Sequence, residues 1–132
     1  LVEKLESHLD SALAQLTPDG SKLTQARKAA ADRLASLVAK ELSELAMQGS
    51  RFSVQVSELG EFEASGNDRI EFLLANAGSD PRPLAKGASG GELSRIMLAI
   101  ELVLAGDRPM PTMIFDEVDA GEIRLGDPEE TA

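Results

Sequence analysis

The sequence predicts a mixed α/β fold with one modest domain. Two segments with helical spacing of apolar residues come first, two strand-like segments follow, and a third helical segment leads to a short apolar run. With 132 residues, 42% of them hydrophobic, the chain can bury one core but not two. It contains no cysteine, so a disulfide framework and a thiolate metal site are excluded.

Neither a membrane span nor a secretion signal is apparent. No apolar run approaches the roughly 20 residues that a membrane-spanning helix needs. The first residues also lack the pattern of a signal peptide. The sequence therefore predicts a cytoplasmic protein without a membrane partner.

Residues 1–17 have the apolar spacing of a coiled-coil helix. Steps of three and four alternate between the apolar positions Val2, Leu5, Leu9, Ala12 and Leu16. An ordinary amphipathic helix fits two heptads equally well, so both interpretations stay open. The segment from Thr17 to Gly20 predicts a break, because Pro18 disfavours a helical residue before it and the Asp-Gly pair favours a turn.

A second helix is predicted from about Ser21 to Met47, with Gly49 as its terminator. From Arg51 the period changes to two, which predicts a half-buried strand. The segment 65–68 has the composition of a turn, and residues 70–74 form a second strand-like run. These two strands are predicted to pair in an antiparallel hairpin.

A third helix and a final strand complete the predicted fold. The helix has its predicted apolar face at Leu93, Ile96, Met97, Ile100 and Leu104. Residues 112–115 form a short apolar run that predicts a buried, parallel strand, and two acids follow it directly.

The entrance of the third helix is the first segment that suggests chemistry. Residues 88–92 read Ala-Ser-Gly-Gly-Glu. Glycines let the backbone approach a ligand, and the free N–H groups at a helix start attract anions. Ser89 adds a hydroxyl that can donate to phosphate oxygen. An ordinary loop-to-helix junction with Ser89 as its N-cap explains the same residues.

The second such segment is the pair of acids Asp116 and Glu117 at the end of the predicted buried strand. Ligands of α/β sheets bind at the carboxyl ends of strands. In ATPases of the P-loop type, an aspartate at this position serves Mg²⁺ and an adjacent glutamate can activate water. Solvated acids at an ordinary strand end are the alternative.

Together the two segments resemble the signature and Walker B motifs of ABC-type ATPases, in that order and joined by one helix. The detailed wording resembles the head domain of the RecN family, bacterial SMC-like proteins of DNA double-strand-break repair. Three segments carry this resemblance: residues 84–86 (Leu-Ala-Lys), 88–95 (Ala-Ser-Gly-Gly-Glu-Leu-Ser-Arg) and 115–121 (Phe-Asp-Glu-Val-Asp-Ala-Gly). A transporter would usually carry Leu-Ser-Gly-Gly-Gln, and leucine then aspartate after the Asp-Glu pair.

The resemblance implies a fold and a division of the chain. The fold would be the C-terminal lobe of an ABC/SMC-type ATPase head, an incomplete P-loop NTPase fold that begins with a coiled-coil-derived helix. Residues 1–17 would be the end of that coiled-coil helix and residues 18–121 the lobe itself. Residues 122–132 are short and acidic and depart from the family pattern, which favours a truncation or an artificial junction over a divergent end.

The resemblance also implies ATP and Mg²⁺ as cofactors, with a role for each matching residue. Asp116 would serve Mg²⁺, Glu117 would be the general base for hydrolysis, and Asp119 would belong to the loop that crosses between heads. Lys86 and Arg95 flank the signature and would help to orient it. The γ-phosphate of an ATP held mainly by a partner head would be contacted by Ser89, Gly90 and Gly91.

The resemblance also implies partners for the chain, because RecN-like proteins carry the P-loop in an N-terminal head lobe. No Gly-x-x-x-x-Gly-Lys-Ser/Thr segment occurs in this chain, so the P-loop would come from an N-terminal head lobe. The only histidine, His8, is expected to be exposed and cannot replace the switch histidine of such heads. We therefore expect the chain alone to be inactive, and to work with that lobe, a second head in a homodimer and DNA bound through the complete protein.

The net charge of −10 does not exclude a link to DNA. After residue 115 there are seven acids and one base, so residues 1–115 carry only −4. This lobe is therefore not expected to be the main DNA-binding surface. Three alternatives stay open: another chromosome ATPase of the SMC type, a transporter nucleotide-binding domain, and a non-catalytic interaction domain whose glycines only form a turn.

Overall fold

The computed structural model describes residues 1–106 together with residues 108, 112, 114 and 116. In these residues a long helix packs on a three-stranded antiparallel sheet with strand order β1-β2-β3. A second helix, 16 residues long, packs against the first. The elements are α1 (Val2–Glu44), β1 (Arg51–Glu63), β2 (Gly66–Ala75), β3 (Arg82–Pro83), α2 (Leu84–Gly87) and α3 (Gly90–Ala105).

The predicted helix break at Thr17–Gly20 is wrong, because α1 runs through it with Pro18 in its interior. A proline there removes one backbone hydrogen bond and crowds the preceding turn, at a cost of about 3 kcal/mol. A tertiary contact lies two residues further along the helix. Gly20 is buried, and a Cβ atom at this position would overlap the ring of Phe62 from the hairpin.

The first part of α1 projects beyond the sheet. Residues 1–19, which we call the free segment, are all exposed, and Gly20 is the first buried residue of the chain. The exposed side chains include those of the predicted apolar row, for example Val2 at 68% and Leu9 at 58% exposure. His8 is exposed, as predicted. The coiled-coil interpretation of this segment stays a prediction.

The predicted antiparallel hairpin is confirmed. Val54 lies opposite Phe72 and Val56 opposite Ile70, so the apolar side chains of both strands share one face. The turn lies at residues 64–65, slightly earlier than predicted, and Gly66 begins β2 with a φ of 110°. Glycine adopts this left-handed conformation without steric cost.

A polar cluster joins the hairpin to α1. Thr24 Oγ1 donates to both carboxylate oxygens of Asp68, at 2.8 and 3.0 Å. Arg27 Nη1 donates to Asp68 at 3.0 Å, and Arg27 Nη2 donates to the Ser65 carbonyl at 2.6 Å. The Asp68 side chain is only 3% exposed. The Thr24 hydrogen bond, helped by Arg27 and by the charge of Lys28, lowers the pKa of Asp68 although burial opposes this.

The core lies between α1, the sheet and α3. Its largest fully buried side chains are Val38, Leu42 and Ile96. Around them pack Met47, Phe52, Leu74, Leu84, Ala99 and Ile100. The same arrangement orients α3, whose N-terminal end carries the first candidate segment.

The predicted apolar face of α3 is only partly correct. Ile96 and Ile100 are buried, but Leu93, Met97 and Leu104 are 37, 42 and 64% exposed. The core contacts the adjacent side of the helix, which carries Arg95, Ile96, Ala99 and Ile100. The spacing of apolar residues identified a stripe but not which of its edges faces the sheet.

The predicted strand at residues 112–115 is wrong at the two positions that the structure describes. Thr112 and Ile114 lie in no strand, and the Ile114 side chain is 94% exposed. A buried parallel strand needs a parallel neighbour, whereas the three described strands pair only antiparallel. Met113 and Phe115 lie outside the described residues.

Candidate nucleotide-binding site at the start of helix α3

Ser89 caps the N-terminus of α3. It has extended backbone angles (φ −72°, ψ 168°), and its Oγ accepts the Glu92 N–H at 3.3 Å. The Glu92 carboxylate accepts the Ser89 N–H in return at 2.8 Å, which completes a capping box. This reciprocal pair fixes the backbone at the point where the loop becomes a helix.

The cap leaves the front of α3 open to solvent. Ser89 and Gly90 are exposed, whereas Gly91 is buried against the body of the protein. The N–H groups in the first turn of an α-helix have no carbonyl acceptor within the helix, and the helix dipole places partial positive charge there. The described geometry therefore suits an anion in front of Ser89 and Gly90, which is the chemistry that a phosphate group needs.

The short helix α2 leads into this segment. Its first residue, Leu84, is buried in the core, and Ala88 follows in extended conformation. A Cβ atom at Gly87 would lie 2.9 Å from the Cβ of Arg82, so the glycine allows the loop to pass close to β3. Lys86 is exposed on α2 and Arg95 is buried at 6% exposure on α3.

The structure brings together only one half of the predicted site. Ser89, Gly90 and Gly91 adjoin at the start of α3, as their sequence order requires. Asp116 is described and exposed. Glu117, Asp119 and the segment 122–132 lie outside the described residues. Within the part of the chain that the structure describes, no three His, Asp or Glu side chains form a cluster that could hold a metal ion.

Glu92 is the residue whose role the motif interpretation missed. The motif interpretation treats Glu92 only as part of the signature segment, although Ser-x-x-Glu before an apolar run is itself the sequence pattern of a capping box. The structure shows that its carboxylate positions Ser89 directly. The signal was therefore present in the sequence.

The fold resembles that of a solved SMC head. The chain aligns with the Smc head domain of Pyrococcus furiosus, which was crystallised with an extended coiled coil and bound to the C-terminal domain of ScpA. The TM-score is 0.53 at 22% identity, covering 89% of this chain and 28% of that one. The helices and the antiparallel sheet of this chain thus have the fold of part of an SMC-type head.

The sequence relatives are more specific. The chain is 46% identical over 125 residues to the DNA repair protein RecN of Streptomyces coelicolor, and 44% identical over 112 residues to that of Haemophilus influenzae. RecN of Treponema pallidum is 43% identical over 126 residues. These alignments cover 83 to 90% of the chain. The predicted resemblance is confirmed: over most of its length the chain is a relative of the C-terminal part of RecN proteins.

The RecN relatives are much longer than this chain. The chain spans about a fifth of the length of these RecN relatives. No protein-family model matches it. Among the described residues, no helix combines the length and the hydropathy required to cross a bilayer.

Proposed function

We propose that this chain is the C-terminal lobe of an SMC-like ATPase head that acts in DNA double-strand-break repair. The observation that carries the proposal is the capped start of α3, where Ser89 and Gly90 face solvent in a chain related to RecN. The lobe would supply the signature segment and the Asp116–Glu117 pair to two heads that enclose ATP.

Ser89, Gly90 and Gly91 would bind the γ-phosphate of an ATP held mainly by the partner head. The Ser89 hydroxyl and the N–H groups of Gly90 and Gly91 would be the donors at the positive end of the α3 dipole, because the Ser89 N–H already donates to the Glu92 carboxylate. Such fixed donors stabilise charge that develops in the transition state. This part of the site needs no change of fold to receive an anion, because Ser89 and Gly90 are already exposed.

The acids after residue 115 would complete the site. Bound Mg²⁺ would neutralise phosphate charge, and Asp116 would hold it through carboxylate oxygen. Glu117 would accept the proton of the attacking water. Asp119 would lie on the loop that crosses to the second head.

The proposed partners are an N-terminal head lobe with a P-loop, a second copy of the head, and DNA bound through the complete protein. Without the P-loop the isolated chain is expected to show no turnover. The complete protein is proposed to be cytoplasmic and associated with the nucleoid, because its relatives are DNA repair proteins. A second candidate, another chromosome ATPase of the SMC type, is favoured by the likeness to the Smc head domain.

The test supplies the missing lobe. This chain is mixed with an N-terminal lobe from a RecN protein and ATP, and turnover is compared for the parent, Ser89→Arg and Glu117→Gln. We expect both variants to lose at least about 100-fold in rate. Ser43→Arg, which adds the same side chain at an exposed position of α1, is the matched control. Unchanged turnover in both site variants would refute the assigned roles.

Glu117→Gln also tests the head dimer. If Glu117 is the base, this variant should retain ATP and accumulate a head dimer by sizing. A purely monomeric profile in the presence of ATP and the N-terminal lobe would contradict the proposed arrangement of two heads.

A further inference from the structure

Helix α1 has little stability of its own where the free segment ends. Pro18 lacks the N–H that an α-helix needs, and Gly20 is a poor helix former. Thr17 Oγ1 donates to the Leu13 carbonyl at 3.3 Å. Such bonds to the preceding turn weaken or bend helices. Three features that favour bending, at Thr17, Pro18 and Gly20, thus occur within one short stretch.

The hairpin tip, residues 62–66, lies directly on this stretch. The Phe62 ring covers the backbone at Gly20, where no side chain would fit. On the other strand, a Cβ atom at Gly66 would lie 2.9 Å from both Leu23 Cδ2 and Arg27 Nη1. A side chain at Gly20 would thus have to displace the Phe62 ring, and one at Gly66 would have to displace the ends of the Leu23 and Arg27 side chains.

Polar contacts hold the tip in place one turn further along α1. Asp68 accepts from Thr24 and Arg27, and Arg27 also donates to the Ser65 carbonyl. The Asp68 carboxylate is shielded from solvent, so water competes poorly for these bonds. The tip is thus fixed to α1 by an apolar contact and by a charged one.

We propose that the hairpin tip is a latch that fixes the direction of the free segment, and that α1 bends at Pro18 when Phe62 leaves Gly20. The stretch that favours bending, residues 17–20, lies where the exposed residues 1–19 meet the part of α1 that packs on the sheet. The role of the latch, but not its existence, rests on the proposed function. In that function the free segment is the end of a coiled-coil arm, and the latch regulates the direction of the arm.

Gly20→Ala distinguishes the latch from an ordinary helix, because the two give opposite signs. In a helix that needs no latch, alanine in place of glycine slows amide exchange around residue 20 about fivefold. With the latch, the new methyl group displaces the Phe62 ring. Exchange of the amides at residues 19–24 is then expected to become about tenfold faster.

The effect should reverse when the ring is absent. In the Phe62→Ala background, Gly20→Ala has room for its methyl group and should slow exchange. Phe72→Ala is the matched control, since its ring is 41% exposed against 40% for Phe62 and lies on the other hairpin strand against Phe52. Slower exchange for Gly20→Ala in the parent chain, or equal effects of Phe62→Ala and Phe72→Ala, would overturn the proposal.

Bending itself can be measured by pulsed electron resonance between two spin labels. The chain has no cysteine, so Lys4→Cys and Gln55→Cys, both at exposed positions, provide unique attachment points. Phe62→Ala should broaden the distance distribution, and Phe72→Ala should leave it narrow. A narrow distribution in Phe62→Ala would refute the latch. No nucleotide is needed, so this result and the ATP turnover test can fail independently.

Discussion

The capping box at the start of α3 allows one prediction to be developed in full. Replacing Glu92 by alanine removes the acceptor of the Ser89 N–H, at 2.8 Å, and the negative charge at the positive end of the helix dipole. A cap interaction contributes about 1 kcal/mol. A charge in the first turn adds about 0.5 kcal/mol. We therefore expect Glu92→Ala to lower the free energy of unfolding by about 1.5 kcal/mol.

Glu92→Gln separates the two contributions. Its amide oxygen can still accept the Ser89 N–H, so only the charge is lost and the expected change is about 0.5 kcal/mol. Ser89→Ala removes the other half of the box, the acceptor of the Glu92 N–H at 3.3 Å, and is expected to cost about 1 kcal/mol.

The assay is urea unfolding of the chain, followed by circular dichroism, in a double-mutant cycle of Ser89→Ala and Glu92→Ala. Because the two side chains form one box, the double variant should be less destabilised than the sum of the single ones. Additive effects, or equal losses for Glu92→Ala and Glu92→Gln, would refute the reasoning that the reciprocal bonds hold the start of α3.

Two further predictions concern stability. Leu42 is fully buried, so Leu42→Ala should lower the free energy of unfolding by about 2–5 kcal/mol. Leu104 is 64% exposed, so Leu104→Ala should lower it by less than about 0.5 kcal/mol. Urea unfolding compares the two variants, and equal losses of stability would contradict the assigned core. The lowered pKa of Asp68 predicts a contribution to stability that is complete above its ordinary value of 3.8 and is lost as the pH falls through the lower folded value. Unfolding measured from pH 6 down to about pH 2 should show this loss, and Asp68→Asn should remove that part of the pH dependence; an identical profile would count against it.

Local patterns predicted the elements that local forces determine. The alternation from Arg51 and the turn composition near Ser65 were enough for the hairpin, because strand pairing with one buried face follows from period two. The start of α3 was also predictable from the Ser-Gly-Gly segment and the apolar spacing after it.

Contacts distant in sequence explain what was missed. The Phe62 ring lies 42 positions from Gly20, and no local pattern indicates that a hairpin would cover the Pro18 region of a helix. The Thr24–Asp68 bond joins residues 44 positions apart, so it too was invisible in the sequence. For the site, the capped start of α3 could be predicted from local composition. The phosphate-binding role of that segment stays a prediction, and so do the assignments of Glu117 and Asp119, which lie outside the described part.

The Ser89 hydroxyl oxygen already takes part in a hydrogen bond, because it accepts the Glu92 N–H. A ligand that also demands the lone pairs or the orientation of this hydroxyl must compete with the helix itself. If the cap is lost on binding, the binding free energy becomes less favourable by about 1 kcal/mol. This corresponds to about a fivefold increase in Kd. The same bonds that keep α3 folded would thereby make this half-site a weak binder until a second protein surface adds contacts of its own.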